Sequence, residues 1–192
     1  MNQKTENRES SVAWFRLAEL ISHGEKEKAL SFYRLLAHSF EDCAYSLQVE
    51  GDILWSFEDK CALEKYKQAA FLYCKEQKIT AAVSIYEHLF VLQVYNFEVL
   101  QYLISSYMKL DWFEKLEDRF DVASKWFLEN KITADQLWAI VQCMIDALAE
   151  GKDKGKQFHE CSVKKVVKLI YDKVPAVKEK TMRYVLDREL KV

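Results

Sequence analysis

The sequence predicts an all-α fold assembled from antiparallel helical hairpins stacked side by side. Apolar residues recur at spacings of three and four along almost the whole chain. Only four glycines and one proline, Pro175, interrupt 192 residues, whereas β-structure needs far more turn formers. One register also returns: Tyr66, Ala69, Ala70 and Tyr73, then Ala82, Tyr86 and Leu89, echoed in part about 34 residues later. A period in that range belongs to repeated hairpins, each burying its apolar face against the next. Half of the residues are hydrophobic and 14% are aromatic, and rings placed one per turn fill the spaces between helices.

The elements follow in order. The first ten residues, MNQKTENRES, are polar and expected to be a flexible N-terminus. A helix over about 11–23 carries Trp14, Leu17, Ala18 and Ile21 and stops at His23-Gly24-Glu25. The next, about 26–39, carries Ala29, Tyr33 and Leu36. The helix at about 42–57 has Leu47, Gly51 and Leu54, and that at about 60–76 has Ala62 and the Tyr66 to Tyr73 register, ending at Glu76-Gln77-Lys78. Ala82, Tyr86 and Leu89 mark about 79–92; Leu100, Leu103 and Tyr107 mark about 97–109; Phe120 and Ala123 mark about 112–128. A helix at about 133–149 contains Trp138. Residues 151–158, with two glycines and alternating charge, are expected to be a flexible loop. Two basic helices close the chain, about 159–173 with Val163, Val166, Val167 and Ile170 on one face, and about 176–189. Links of a few residues make consecutive helices antiparallel.

The register of 63–96 resembles the tetratricopeptide repeat. Tyr66, Ala69, Ala70 and Tyr73 stand at the first-helix positions of that family, and Ala82, Tyr86 and Leu89 at those of the second. Small residues there let two helix axes approach closely while the aromatics fill the groove beside them. The next unit, 97–130, keeps Leu100, Leu103, Tyr107, Phe120 and Ala123, with bulky Ile104 and Leu116 where the family has small residues. A third unit lies near 11–43. Between them the phase breaks, since 44–57 also reads as a first helix with 60–76 as its second. The repeat-ending proline is missing from every unit. The resemblance covers about residues 11–150 and implies a right-handed superhelix.

That resemblance implies a non-catalytic protein-binding module that holds a peptide or partner helix in the groove lined by first helices. The matching groove positions are Glu19, Gln48, Asp52, Lys67, Phe71, Lys75, Gln101, Ser105 and Met108. Family members that clamp the C-terminal carboxylate of heat-shock chaperones need Lys and Asn at two positions occupied here by Phe15 and Glu19, which argues against such a co-chaperone. The stretch Tyr86 to Asn96, followed by Leu100, Leu103 and Tyr107, is similar to the middle repeats of type III secretion translocator chaperones. A chaperone for a secreted protein is therefore the alternative role.

Charge divides the chain. Residues 151–192 hold twelve Lys and Arg against six Asp and Glu, while residues 1–150 hold sixteen against twenty-four. The basic C-terminal helices, through Lys164, Lys165, Lys168, Lys178, Lys180 and Arg183, suggest contact with nucleic acid or an acidic partner, or a cap that seals the array. With no aromatic platform expected beside these lysines, the cap is the favoured reading.

Chemistry has little support. Five cysteines (Cys43, Cys61, Cys74, Cys143, Cys161), an odd number without a CxxC pair or a secretory leader, suit a reduced cytoplasm as buried thiols. His159-Glu160-Cys161 supplies too few ligands for zinc, and His159 and Cys161, two apart on a helix, point in different directions. His23, His38 and His88 are isolated in sequence. Phosphate loops and nucleophile elbows are missing, so the expectation is no enzyme, metal or cofactor. Glu87, Glu98 and Lys109 interrupt the most apolar region, against a membrane span. Trp55, Trp112, Trp126 and Trp138 are either core or binding anchors, with core the favoured reading; Trp112, after the Leu110-Asp111 turn, is the one that most readily suits an exposed position.

Overall fold

A computed structural model describes residues 3–38, 40–93, 95–150 and 156–188. Among the described residues there are ten α-helices and no strand: α1 Gln3–Ser22, α2 Lys26–Ala37, α3 Cys43–Ser56, α4 Cys61–Lys75, α5 Ile79–Leu92, α6 Phe97–Leu110, α7 Phe113–Leu128, α8 Ala134–Glu150, α9 Lys156–Lys173 and α10 Lys178–Asp187. A 3-10 turn, Pro175–Val177, precedes α10. Most ends agree with the periodicity to within a residue or two. The N-terminus differs: α1 begins at Gln3, because residues 3–10 hold Gln, Lys, Glu and Arg without Gly or Pro, and polarity alone does not stop a helix. The loop expected over 151–158 is also shorter at its end, since α9 begins at Lys156 and residues 156–158 continue into it without a Gly or Pro to stop the helix; residues 1, 2 and 151–155 lie outside the described residues.

The helices stop in a recurring way. Gly24, Glu58, Gln77, Tyr95, Asp111 and Asn130 all have positive φ, five of them without being glycine. At five of these stops the next residue's N–H reaches back to a buried carbonyl: Glu25 to Leu20, Asp59 to Leu54, Lys78 to Tyr73, Trp112 to Tyr107 and Lys131 to Trp126. This is the six-to-one bond of the Schellman motif, which satisfies carbonyls otherwise orphaned at a helix end. Starts are capped at Asp42 and Asn96, whose side chains accept from the Tyr45 and Val99 amides. Before α8, Thr133 and Gln136 form a reciprocal capping box.

The chain divides into two compact units, Met1–Ile85 and Tyr86–Val192, the division falling within α5. In the first, α3 lies along α4, so 44–57 and 60–76 form a packed hairpin. Gly51 makes this approach possible, since a Cβ there would stand 2.8 Å from Tyr66 Cε1. Three buried tyrosines direct hydroxyls at α3. Tyr33 donates to the Ser46 carbonyl at 2.6 Å, Tyr66 to Asp52 Oδ1 at 2.7 Å and Tyr73 to Gln48 Oε1 at 3.4 Å. An ion pair from Lys26 to Asp59 ties the start of α2 to the turn before α4. That hydrogen bond, with help from the Cys61 amide, holds the Asp59 carboxyl down at about 2.

Burial raises the ionisation of Tyr33, Tyr66 and Tyr73 above the usual tyrosine range, with the Asp52 carboxylate adding to the effect at Tyr66. Unfolded tyrosines ionise near pH ~10 while these three stay protonated in the folded unit. Their contribution to stability is therefore complete below that pH and lost as pH rises further. Denaturant midpoints measured from pH 8 upward are expected to stay level and then fall beyond about pH 10, and Tyr66→Phe is expected to flatten that fall.

The second unit packs α6 against both α7 and α8, with α9 against α7 and α8. Leu100, Leu103, Ile104, Tyr107, Leu116 and Phe120 are all buried. Val163, Val166, Val167 and Ile170 form the buried face of α9, and the side chains of Lys164, Lys165 and Lys168 are exposed. Glu87 joins three helices, accepting from the Tyr107 hydroxyl of α6 and the Arg119 guanidinium of α7. The guanidinium also lies over the Phe90 ring, 4.6 Å from its centroid. On α10, Val185 and Thr181 are buried. Tyr184 meets Trp138 edge to face, 5.7 Å between centroids.

Candidate functional site

A trough runs between α6 and α8 within the second unit. Its two overlapping recesses, of about 440 and 400 Å³, share Gln101, Ser105 and Cys143. α6 contributes Glu98, Gln101, Tyr102, Ser105 and Lys109, spaced by three and four so that they fall on one face. Across the trough, α8 contributes Ala139, Gln142, Cys143, Asp146 and Ala147. The helices take this rotation because their opposite faces are apolar: Leu100, Leu103, Ile104 and Tyr107 on α6, and Leu137, Ile140, Val141, Met144 and Ile145 on α8, are all buried.

Polar groups in the trough are left open. The side chains of Gln101, Ser105 and Gln142 have no hydrogen-bond partner among the described residues, although each is half-buried. None of their polar atoms is both buried and unpaired, so they stay open to solvent or to a ligand. Tyr102 stacks one ring face on Tyr86, at 4.9 Å and 8°, yet remains 50% exposed. Asp146 is already engaged, accepting from the Tyr184 hydroxyl at 3.1 Å and pairing with Arg188 at 2.8 Å.

The expected groove residues thus separate. Gln101 and Ser105 line the trough. Met108 does not: it is only 6% exposed, because it continues the Leu100 and Ile104 stripe on the core face of α6. In the first unit, Lys67 and Phe71 border a different recess of about 440 Å³ with Leu47, Glu64, Gln68 and Leu72. Gln48 and Asp52 accept hydroxyls from Tyr73 and Tyr66 and so serve the α3–α4 contact. Lys75 is exposed outside that recess, and Glu19 is paired with Arg16 on its own helix. The α8 wall was missed from sequence, although 139, 142, 143 and 146 follow the same three-and-four spacing as 98, 101, 102 and 105.

The basic residues Lys164, Lys165, Lys168, Lys178, Lys180 and Arg183 are all exposed. Against expectation, several basic side chains have rings beside them. Lys180 lies 4.3 Å from the Trp138 centroid, Lys178 5.1 Å from that of Tyr171 and Lys165 5.4 Å from that of Phe113. Lys173 pairs with Asp121 at 2.7 Å. The chain's own rings and carboxylates hold these cations, because α9 and α10 fold back over acidic and aromatic helices.

Trp126 and Trp138 are buried, whereas Trp55 and Trp112 are both exposed rather than core; Ile53 and Leu54 take the core positions of the Trp55 turn. Cys43 and Cys61 are exposed rather than buried, each opening a helix, while Cys74 and Cys143 are half-buried. The Cys61 thiol is pushed up by its hydrogen bond to Asp59. His23, His38 and His88 are exposed; the side chains of His159 and Cys161 lie outside the described residues. Among the described residues, no three His, Cys, Asp or Glu side chains group to hold a metal, and no helix is long and apolar enough to cross a membrane. The chain matches no family model and no curated protein.

Proposed function

We propose that this protein is a non-catalytic interaction module of the cytoplasm, tetratricopeptide-like in architecture, which binds a protein segment in the α6–α8 trough. The observation that carries this reading is the set of unpartnered polar side chains, Gln101, Ser105 and Gln142, facing one another across an open recess. Recurring helix stops also support the architecture: the anchoring carbonyls Leu20 and Leu54, and again Tyr73 and Tyr107, stand about 34 residues apart. Nucleic-acid binding by the basic helices is less favoured, because many of their cations already have intramolecular partners.

Affinity capture from native lysate, followed by mass spectrometry, tests the proposal. Wild-type protein is expected to retain a protein that Ser105→Trp, which fills the trough, loses at unchanged helicity. Equal retention by both would overturn the α6–α8 assignment.

A further inference from the structure

We infer that the trough takes an extended peptide bearing a lysine or arginine, with the peptide main chain held by Gln101 and Gln142 and its cation placed on Tyr102 beside Glu98. This deepens the interaction-module reading and rests on it.

The lining selects an extended chain over a helix. An amphipathic helix satisfies its own main chain and seeks an apolar groove, but this trough presents free carboxamides from both walls. A carboxamide carries both donor and acceptor, which is what an exposed peptide group requires. Ser105, Ala139 and Ala147 are small, so a backbone can come close to the floor. From Glu98 to Lys109, α6 rises about 16 Å, a length that about five extended residues cover.

The charge at one end selects the side chain. In the recess formed by Glu98, Gln101, Tyr102, Ser105 and Cys143, the one charged group is the Glu98 carboxylate, and it has no ion-pair partner among the described residues. One turn along, Tyr102 has one ring face covered by Tyr86 and is otherwise half open. A carboxylate next to an open ring face suits a cation, attracted by both the charge and the ring quadrupole.

The test uses the full chain and fluorescein-labelled nonapeptide pools with randomised flanks and a central Arg, Lys, Glu or norleucine, read by anisotropy. Arg and Lys pools are expected to bind about tenfold more tightly than the Glu pool, a difference of about 1.4 kcal/mol. Glu98→Lys is expected to invert that order and Tyr102→Ser to weaken the Arg pool alone, while Gln101→Leu with Gln142→Leu weakens every pool. Circular dichroism establishes that each variant folds. Pools that bind without charge preference, yet are lost in Ser105→Trp, overturn the inference and leave the interaction module standing. An order unchanged in both Glu98→Lys and Tyr102→Ser, or no binding by any pool, also overturns it, and the lysate capture then judges the broader reading separately.

Discussion

Replacing Gly51 with leucine destabilises the first unit by about 3 kcal/mol. On helix propensity alone the change is favourable, since a glycine inside a helix costs ~1 kcal/mol relative to alanine. Contact outweighs propensity here. Even the first added carbon would lie 2.8 and 2.9 Å from two ring atoms of Tyr66. That ring cannot swing aside: Tyr66 is 2% exposed, and its hydroxyl is tied to Asp52. Gly51→Ala is therefore expected to lose about 1 kcal/mol, the overpacking cost less the propensity gain, and Gly51→Leu the larger amount. Hydrogen exchange of α3 and α4 amides isolates the effect from the second unit. Pairing Gly51→Ala with Tyr66→Leu is expected to recover stability relative to the sum of the two single changes, and strict additivity would show that the contact is not the cause.

Glu87→Ala has the second largest expected effect, a loss of about 2–3 kcal/mol from the second unit. The carboxylate serves two donors. Without it, Tyr107, which is fully buried, holds a hydroxyl with no acceptor, and the Arg119 guanidinium, whose side chain is 25% exposed, loses its counter-charge. The cost falls short of that for a wholly enclosed ion pair because water reaches part of the site. Glu87→Gln, which keeps an acceptor for Tyr107, is expected to cost about half as much. Combining Glu87→Leu with Arg119→Leu is expected to be milder than Glu87→Leu alone, since the double change leaves no orphaned charge. Urea denaturation of the four variants checks both statements.

Much of the helical arrangement was legible in the sequence because the helical period leaves a direct trace in apolar spacing. Tyr66, Ala69, Ala70 and Tyr73 fall on one face whatever surrounds them, and all four are buried. The start of α1 was not legible, since residues 3–10 carry no apolar stripe and yet nothing in them breaks a helix. Two residues of the candidate site, Gln101 and Ser105, could be read as well. Gln101 and Ser105 stand opposite a clear core stripe on α6. Met108 was misassigned because a flexible apolar side chain suits either face. On α8, Leu137, Trp138, Ile140, Val141, Met144 and Ile145 cover so much of the circumference that Gln142 and Asp146 leave only a thin polar seam. The apolar face sets the rotation of α8, but that the seam then lies opposite α6 depends on which helices pack together.

The left-handed helix stops have a consequence for how such a chain can diverge. At five reversals a main-chain bond to the carbonyl of a buried residue sets the direction of the next helix, and that bond does not depend on which side chain occupies the left-handed position. Glycine, glutamate, glutamine, aspartate and asparagine all fill the role here. Punctuation written in the backbone frees the spelling between the marks. Spacing and buried anchors can therefore persist while the side chains between them change.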